Sequence, residues 1–517
     1  MEFSFSFLFS SVLLLLPLLL LLPLRSVIIH SRKETKQRPP GPKGWPVIGN
    51  ILDLGAMPHQ TLFNLRTRYG PDLLWLKLGS MNTMVVQSAK AAEQLLKNQD
   101  TSFCDRKCPH ALTSHNYKDG TIAFGRYGSY WRVLRRLCTM EFLVNKRIND
   151  MAPVRRKCVD AMIQFMEEDS AAALARGESG AVNLAHYLFL MGFNVVGNLV
   201  FSKDLLDPNC EEGKELFDAV DKIMEFMGKP NLADFLPFLK WLDPQGVKRN
   251  MTKHMAKALE IAGRFLKERV EEHRLGKRRA TKDFLEVLLE YESDGKDGQP
   301  DKISNQNISI ILLEMFMAGS ETTSSTIEWA MTELSRSPES MRKAKQELNQ
   351  VIGPNRVVEE SDIDDLPYLQ AVVKESMRLH PAVPLLIPRN AIEDTNFMGY
   401  VIPKDTQIFV NVWGIGRDPG SWDEPLCFKP ERFIGSNIEY KGQNFELLPF
   451  GSGRRICVGI SLAHRVVHLA LASLLHTFDW DFDSDQANLD TSERVGITLR
   501  KLIPLQAIPR KRNRGND

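Results

Sequence analysis

The pattern of apolar and polar positions divides the chain into a short apolar head and a long body with helical periodicity. Residues 3–24 form a run of Phe, Leu and Val that only serines and two prolines interrupt. Between residues 89 and 350, apolar positions recur mostly with the period of helices whose charged faces are exposed. Stretches of strand character near 73–87, 396–410 and 498–508 predict short β elements, and the first stretch, which Gly79 and Ser80 split, predicts a β-hairpin. The pattern therefore predicts a mainly α body of the α+β type.

The apolar head is long enough to cross a membrane. A helix of about 20 residues spans the roughly 30 Å hydrocarbon layer, and prolines are tolerated in such helices. Basic residues follow the head directly, whereas its other flank carries only Glu2, which places the body in the cytosol. The alternative is a cleaved signal peptide, but neither its basic first region nor a small-residue cleavage site is evident. We therefore expect an N-terminal transmembrane helix with its basic flank at residues 1–30.

A proline-rich stretch separates this anchor from the body. The sequence Pro-Pro-Gly-Pro-Lys-Gly-Trp-Pro begins at residue 39. It is expected to be stiff and extended, because proline fixes φ and disfavours helix in the residue before it. A generic partner-binding linker is the alternative, but the position between a basic flank and a core favours a hinge. The predicted organisation is an anchor (1–30), a hinge (31–50) and one catalytic domain (51–517).

Composition narrows the class of protein. The chain has 517 residues, 43% of them apolar, which is ample for a large core. The formal net charge is +2, from 66 basic and 64 acidic residues, so no nucleic-acid partner is expected. The 7 cysteines are scattered without a paired framework, as is typical of a reducing compartment. At most one or two of them are expected to carry chemistry.

One cysteine lies in a loop rich in glycine and arginine. From Phe450 to Gly459 the chain reads F-G-S-G-R-R-I-C-V-G, which matches the pattern F-x-x-G-x-R-x-C-x-G. The five fixed positions would coincide by chance in about 2 of 10,000 chains of this length. The glycines let backbone turn tightly around the sulfur and approach a flat ligand, and a backbone N–H can tune a thiolate. The alternative is that Cys457 is one more buried free thiol.

This loop resembles the cysteine-ligand loop of cytochrome P-450 enzymes, and three further motifs follow the same order. The resemblance implies the fold of that family, with a long central helix, and a haem b whose iron takes Cys457 as its metal ligand. A thiolate ligand favours O–O cleavage, and Arg455 is expected to pair a haem propionate. The other cofactor-binding positions implied in the loop are Phe450, Gly453 and Gly459. Many plant relatives have proline where this chain has Val458, and we expect that difference to be tolerated.

The segment from residue 318 reads A-G-S-E-T-T and resembles the oxygen-activation segment of the family's central helix. The resemblance implies that Ala318 and Gly319 leave room for O2 beside the cofactor. It also implies that Thr322 presents a catalytic hydroxyl and that Glu321 feeds protons inward. Helical spacing predicts one face made of Met315, Ala318, Thr322 and Thr326. By periodicity alone this would be a buried helix in which Thr322 bonds a backbone carbonyl.

Further basic residues match the family's propionate contacts. Trp131 and Arg135 match W-x-x-x-R and lie one helical turn apart, where they can grip the same carboxylate. Arg389 resembles the other propionate contact. Arg132 and Arg136 project elsewhere, and for these two a basic patch for an electron donor and a solvated helix face are equally good interpretations.

A third motif is structural. Glu375 and Arg378 lie one helical turn apart, and together with Arg432 they resemble the family's structural ion triad on the cysteine side of the core. By periodicity alone the first two would be an ordinary surface pair. In either case we expect a role in the scaffold and none in catalysis.

The resemblance extends from the proline-rich hinge to the terminal strand near residue 498 and follows the microsomal plant-type pattern. It implies a single-pass protein of the endoplasmic reticulum membrane. Its activity would be an O2-dependent monooxygenase reaction on a lipophilic molecule. Electrons would come from NADPH through a membrane-bound diflavin reductase, because the chain has no nucleotide fingerprint or flavin domain of its own. The rivals are a haem-thiolate isomerase or dehydratase, against which the Glu321-Thr322 pair argues, and a non-catalytic haem sensor or electron carrier.

Three segments match the family's substrate-recognition regions: 109–124, 382–387 and 495–499. The first contains His110, His115 and Tyr117, whereas the other two are almost wholly apolar and suit a neutral lipophilic substrate. Residues 231–237 and 496–501 resemble the plant subgroup that oxidises monoterpenoids and iridoids. We therefore expect allylic hydroxylation of a monoterpenoid or iridoid in one or more steps. The alternative is hydroxylation of a phenolic, flavonoid or fatty-acid substrate.

Overall fold

The computed structural model describes residues 38–205, 211–277, 283–293, 301–482 and 489–512. The predicted anchor (1–30) and the first residues of the predicted hinge lie outside these ranges. The α-helices are α1 Pro58–Tyr69, α2 Ala89–Glu93, α3 Tyr117–Gly120, α4 Ser129–Arg136, α5 Asn145–Asp150, α6 Ala152–Ala175, α7 Leu184–Phe201, α8 Glu211–Met227, α9 Leu232–Phe235, α10 Val247–Arg274, α11 Phe284–Leu289, α12 Asn305–Arg336, α13 Pro338–Val351, α14 Pro367–Leu379, α15 Val412–Ile415 and α16 Ile460–Thr477. The prediction of a mainly helical body is confirmed.

The strands form small sheets around the helical body. Their bounds are β1 Leu73–Leu78, β2 Met81–Val86, β3 Val182–Asn183, β4 Arg389–Asn390, β5 Thr395–Phe397, β6 Tyr400–Ile402, β7 Gln407–Val410, β8 Phe478–Asp481, β9 Glu493–Arg494, β10 Arg500–Lys501 and β11 Gln506–Lys511. One sheet has the order β1-β2-β7-β4 and another β3-β11-β8, while β5 pairs with β6 and β9 with β10. The predicted hairpin over residues 73–87 is confirmed as β1 and β2, which pair antiparallel.

The central helix α12 carries the predicted oxygen-activation segment through the middle of the body. It begins at Asn305, where the Ser304 side chain accepts from the Asn307 N–H, and it ends before the Ser337-Pro338 step. It packs against α7, α10, α14 and α16. From residue 308 to residue 335 it is buried on every side except along one short stripe. Such an all-round apolar setting is typical of the core helix of a large domain.

A second core helix resembles a membrane span by composition. Within the described ranges, α7 is the helix long and apolar enough to cross a membrane, and 72% of it is buried inside the body. Because its apolar surface packs on α12 and α6, it is a core helix of the folded domain.

The predicted ion triad is confirmed. Arg378 donates from Nε and Nη2 to the two Glu375 carboxylate oxygens, at 2.7 and 2.8 Å, and Arg432 Nε donates to Glu375 Oε1 at 3.0 Å. Arg378 also donates to the carbonyl oxygens of Pro425 and Cys427. The Glu375 and Arg378 side chains have no solvent exposure. The triad therefore fastens α14 to the segment that leads into the cysteine loop.

Candidate functional site

The cysteine loop is shaped so that its sulfur faces a backbone donor and a helix N-terminus. Cys457 Sγ accepts from the Gly459 N–H at 3.3 Å, and the Cys457 N–H donates to the Phe450 carbonyl at 3.0 Å. Helix α16 begins directly afterwards at Ile460, where its dipole favours negative charge. Gly453 has a φ of 68°, and a Cβ there would lie 2.3 Å from the Leu96 carbonyl oxygen. The loop therefore requires glycine at this position.

The Cys457 sulfur lies deep in the body yet is accessible. Burial raises the pKa of the Cys457 thiol, while the Gly459 N–H and the charge of Arg135 oppose this rise. The same side chain is nevertheless exposed, so it borders space inside the protein. A buried sulfur is kept as the thiolate when a metal ion is bound to it. A metal ligand therefore fits this position.

The open stripe of the central helix borders interior space as well. Between Ile308 and Ser335 every residue is buried except Met315, Ala318, Gly319 and Thr322. Their spacing of three and four residues places them on one helix face. This is the predicted face with two differences: Gly319 belongs to it, and Thr326 is buried and donates to the Thr322 carbonyl at 2.8 Å. The open stripe is therefore one turn shorter than predicted.

Thr322 differs from its neighbours in exposure. Its hydroxyl donates to the Ala318 carbonyl at 2.7 Å, as the hydroxyl of Thr323 does to Gly319 at 2.8 Å. Both therefore bond the carbonyl four residues earlier, which is the ordinary behaviour of threonine inside a helix. Thr323 is buried, whereas Thr322 is half-buried on the open stripe. Thr322 is thus the threonine hydroxyl of this segment that a molecule in the interior space can reach.

The carboxylate of Glu321 points toward strand β10. Its side chain is buried and forms an ion pair with Arg500 of strand β10. Within the described part of the chain, Glu321 Oε2 has no hydrogen-bond partner. The contact between β10 and α12 was not predicted from the sequence, and the role of Glu321 in feeding protons inward stays a prediction.

The predicted propionate residues converge from three separate segments. Arg455 donates from Nε to the Cys104 carbonyl at 2.8 Å and from Nη2 to the Gly125 carbonyl at 2.7 Å. Arg389 donates to Asp100 Oδ1 and to the Ser452 carbonyl, both at 2.7 Å. Arg135 Nη2 donates to the Ile456 carbonyl at 2.6 Å. Each arginine therefore contacts the cysteine loop or belongs to it.

Trp131 supports this group of arginines. Its indole N–H donates to the Ile122 carbonyl at 2.9 Å, and the Arg455 guanidinium lies 3.9 Å from its ring. Trp131 therefore holds Arg455 by a cation–π contact and hydrogen-bonds to backbone in this structure.

Arg106 lies with these arginines, although no motif in the sequence predicts it. It is buried and donates to the Ala123 carbonyl, and within the described residues its Nε has no hydrogen-bond partner. Burial lowers the pKa of Arg106, and the charges of Arg455 and Arg389 lower it further. We call Arg106, Arg135, Arg389 and Arg455 the arginine cluster. Buried guanidinium groups that repel one another need anionic partners, and the two carboxylates of a haem fit this need.

A buried carboxylate on the central helix holds the loop beside this cluster. Glu314 accepts from Thr121 Oγ1 at 2.5 Å, from the Ile122 N–H at 2.6 Å and from the Ala123 N–H at 2.9 Å. The Tyr117 hydroxyl donates to it at 3.3 Å. The carbonyls of Ile122 and Ala123 accept from the arginine cluster. A lone glutamate in the apolar run of α12 was the sequence signal for such a role.

The apolar recognition segments differ in how far they face the interior. Residues 382, 383 and 385–387 are half-buried, as is Ile497. Leu499, which was expected to line the pocket, is fully buried: its N–H donates to the Ala382 carbonyl at 2.8 Å, and its carbonyl accepts from Ser325 at 2.6 Å. Leu499 therefore fastens the β9–β10 hairpin to its neighbours. Ile497 is an apolar residue of segment 495–499 that faces the interior space.

A long core helix with an accessible threonine, a cysteine loop and a buried arginine cluster define a protein built to hold haem through a thiolate. The Cytochrome P450 family model matches residues 39–505, and the chain belongs to that family. It is 56% identical to "Iridoid oxidase" from Catharanthus roseus, over 94% of this chain and 95% of that protein. It is 41% identical to "Geraniol 8-hydroxylase" from the same plant, over 96% of this chain and 98% of that protein.

A solved structure supports the same assignment. The structure titled "Zebra fish cytochrome P450 another structure with Progesterone" matches with a TM-score of 0.72 and 29% identity, over 88% of this chain and 99% of that one. The family and these relatives establish a haem-thiolate monooxygenase. It uses haem and O2, receives electrons from a reductase and acts on lipophilic substrates.

Proposed function

We propose that this protein hydroxylates a neutral monoterpenoid or iridoid at an allylic C–H bond and oxidises the resulting alcohol further. The observation that carries the proposal is 56% identity to an iridoid oxidase across nearly the whole of both chains. The half-buried segments at 382–387 and at Ile497 support it, because aliphatic walls suit a terpenoid skeleton. Burial of such a skeleton contributes about 25 cal/mol per Å² of apolar surface.

The proposed haem b would be held by residues from both sides of the interior space. Cys457 would hold the iron, the arginine cluster the two carboxylates, and Phe450, Gly453 and Gly459 the shape of the loop. When bound, thiolate-ligated haem supplies the activation of O2 that C–H hydroxylation requires. Trp131 would support the arginine cluster through Arg455.

The chain's own residues at the open stripe would handle protons and exclude bulk water. Ala318 and Gly319 leave space beside Thr322, because neither carries a side chain beyond Cβ. The Thr322 hydroxyl can turn from the Ala318 carbonyl to hold a hydrogen bond in the pocket. Glu321, buried next to it, would take up a proton and pass it inward.

Electrons would come from NADPH through a diflavin reductase in the endoplasmic reticulum membrane. Arg132 on α4 is exposed and belongs to the same helix as Arg135 of the arginine cluster, so a reductase docked there would lie close to the cofactor. The domain would be cytosolic, with an anchor at residues 1–30, a hinge at 31–50 and the catalytic domain at 51–517.

Exposed apolar residues support contact with the membrane. Trp45 and Val47 expose 61% and 55% of their surface, and Phe238 and Trp241 expose 61% and 84%. Both segments adjoin the turn between β1 and β2: the Gly79 N–H donates to the Ile48 carbonyl, and the Ser80 N–H donates to the Phe235 carbonyl. The apolar residues thus surround the place where the chain passes from the hinge into the body.

Deleting residues 1–24 should release the protein only partly from vesicles, and release should become complete when Trp241→Asp is added.

Turnover with a purified reductase tests the function. With geraniol or a neutral iridoid lactol, one NADPH and one O2 should be consumed for each oxidation step that the products show. An isomerase would form product without NADPH, and a sensor or electron carrier would form none. The same terpenoids should give a substrate-binding shift of the haem spectrum, whereas laurate and naringenin should give none. A shift with laurate or naringenin alone would refute the terpenoid proposal and leave the monooxygenase class intact.

A further inference from the structure

A basic residue that the proposed mechanism does not use lies against the proposed proton donor. Arg500 forms an ion pair with Glu321, and their side chains expose 21% and 7% of their surface. The contact joins Arg500 Nη2 to Glu321 Oε1. Among the residues described, neither Glu321 Oε2 nor Arg500 Nε has a hydrogen-bond partner. The Arg500 guanidinium therefore provides the polar contact that holds the Glu321 carboxylate.

The hairpin that carries Arg500 is docked on the central helix without this pair. Ser325, one turn after Glu321, donates to the Leu499 carbonyl at 2.6 Å. Glu328, about one turn further, accepts from the Leu505 N–H at 2.9 Å. These two contacts hold the backbone on both sides of Arg500. The guanidinium is therefore available for a role other than fastening the hairpin.

Arg500 also has a second acidic neighbour. Burial lowers the pKa of Arg500, and the negative charge of Asp221 on α8 opposes this change. The charge of an acid on α8 thus acts on the guanidinium in addition to its ion pair with an acid on α12. When Glu321 takes up a proton and loses its charge, Asp221 still supplies a counter-charge, so Arg500 is not left as an isolated buried cation.

We propose that Arg500 is a positioning residue that receives the Glu321 carboxylate between successive proton transfers. The inference rests on the proposed role of Glu321 and Thr322. Glu321 takes one proton from the bulk solvent, which neutralises the carboxyl group and releases it from Arg500. It passes that proton to a water molecule held by the Thr322 hydroxyl, that water molecule gives up one of its own protons to the reduction of O2, and the Glu321 carboxylate that remains returns to Arg500. One proton enters and one leaves, so each cycle restores the ion pair.

Arg500→Gln tests this proposal. Product formed per NADPH consumed should fall about tenfold, because a misplaced proton donor loses its reaction geometry. Haem content and the substrate-binding shift should stay unchanged. Arg500→Lys should restore most of the yield, since a single nitrogen makes the contact with Glu321. The matched control is Arg494→Gln, which removes one positive charge from the exposed residue opposite Arg500 on β9 and should leave the yield unchanged.

The double variant Glu321→Gln/Arg500→Gln distinguishes positioning from a separate structural effect. If Arg500 acts through Glu321, the double variant should match Glu321→Gln alone. Losses that multiply would overturn the proposal. The midpoints of thermal unfolding of the two single variants and the double variant test the Glu321–Arg500 ion pair without turnover. The midpoint of the double variant should be no lower than that of Glu321→Gln alone.

Failure of the underlying function gives a different pattern. If Glu321→Gln and Thr322→Ala both leave the product yield unchanged, the proposed proton transfer is wrong and Arg500 has nothing to position. If those two variants lose yield but Arg500→Gln does not, the role of Arg500 alone is refuted.

Discussion

At the scale of single residues, exposure separates side chains that hydrogen-bond in the same way. Thr322 and Thr323 each donate to the carbonyl four residues earlier, at 2.7 and 2.8 Å, but only Thr322 lies on the open stripe. Thr322→Ala should therefore lower product per NADPH about tenfold or more and raise hydrogen peroxide, because a proton-handling hydroxyl is lost. Thr323→Ala is the matched control and should keep the wild-type yield of product per NADPH. Equal behaviour of the two variants would mean that Thr322 has only a structural role.

Arg106 provides a second prediction at this scale. A charge-assisted hydrogen bond contributes about 1.5–3 kcal/mol, so Arg106→Leu should speed loss of haem to apomyoglobin about tenfold or more. Arg126→Leu is the control, because the Arg126 side chain is 65% exposed and pairs with Asp105. If haem leaves both variants at the wild-type rate, the arginine cluster is not the carboxylate site.

Residues that a local motif identifies were predictable, and residues that act through distant partners were not. Cys457 and Thr322 stand in short, dense patterns. Arg106, Glu314 and Arg500 do not, because each acquires its role from a segment far away in the chain: Glu314 bonds the Ile122 N–H across 192 positions. Only folding brings such partners together.

At the scale of elements, the central helix holds two neighbouring segments through buried carboxylates. Glu314 satisfies two backbone N–H groups and the Thr121 hydroxyl in the loop after α3. Glu314→Ala leaves these donors without acceptors, so the free energy of unfolding should fall by about 3 kcal/mol. Glu314→Gln keeps one acceptor oxygen and should lose less. Urea unfolding followed by circular dichroism measures the free energy of unfolding of both variants. A Glu314→Ala variant as stable as wild type would show that Glu314 does not anchor the loop after α3.

The second carboxylate, Glu328, makes stability depend on pH. Burial raises the pKa of Glu328 from 4.5 to about 7, against the opposing effects of the Leu505 N–H and Lys501. The folded state therefore binds this proton more tightly than the unfolded chain, and stability is lost as pH rises from about 4.5 to about 7. Glu328→Gln avoids that loss and should gain up to about 3 kcal/mol relative to wild type at high pH. Unfolding midpoints below about pH 4 should show almost no gain; a gain independent of pH would contradict this pKa.

The elements themselves were predictable to different degrees. The hairpin of β1 and β2 and the helix α12 have strong local periodicity, and both were predicted. Strands β3 and β8 were not predicted, because both are short and are completed by pairing with β11, the last described strand of the chain. Their pairing depends on tertiary contact rather than on residue pattern.

At the scale of the whole molecule, the site exists because distant segments converge on one interior space. The cysteine loop precedes α16, the open stripe lies on α12, and the arginine cluster draws on residues from 106 to 455. The ion triad of α14 fastens the chain that leads into the loop. The order of the motifs predicted which segments take part, whereas their contacts with one another depend on the packed core.

The reduced, carbon-monoxide-bound spectrum tests the central claim most directly. Wild-type protein should show the red-shifted Soret band of thiolate-ligated haem, because Cys457 is the residue proposed to hold the iron. Cys457→Ser should lose that band, while Cys427→Ser, at an exposed cysteine outside the loop, should keep it. A wild-type band at the position typical of histidine ligation, or a Cys457→Ser protein that retains the red-shifted band, would contradict the account.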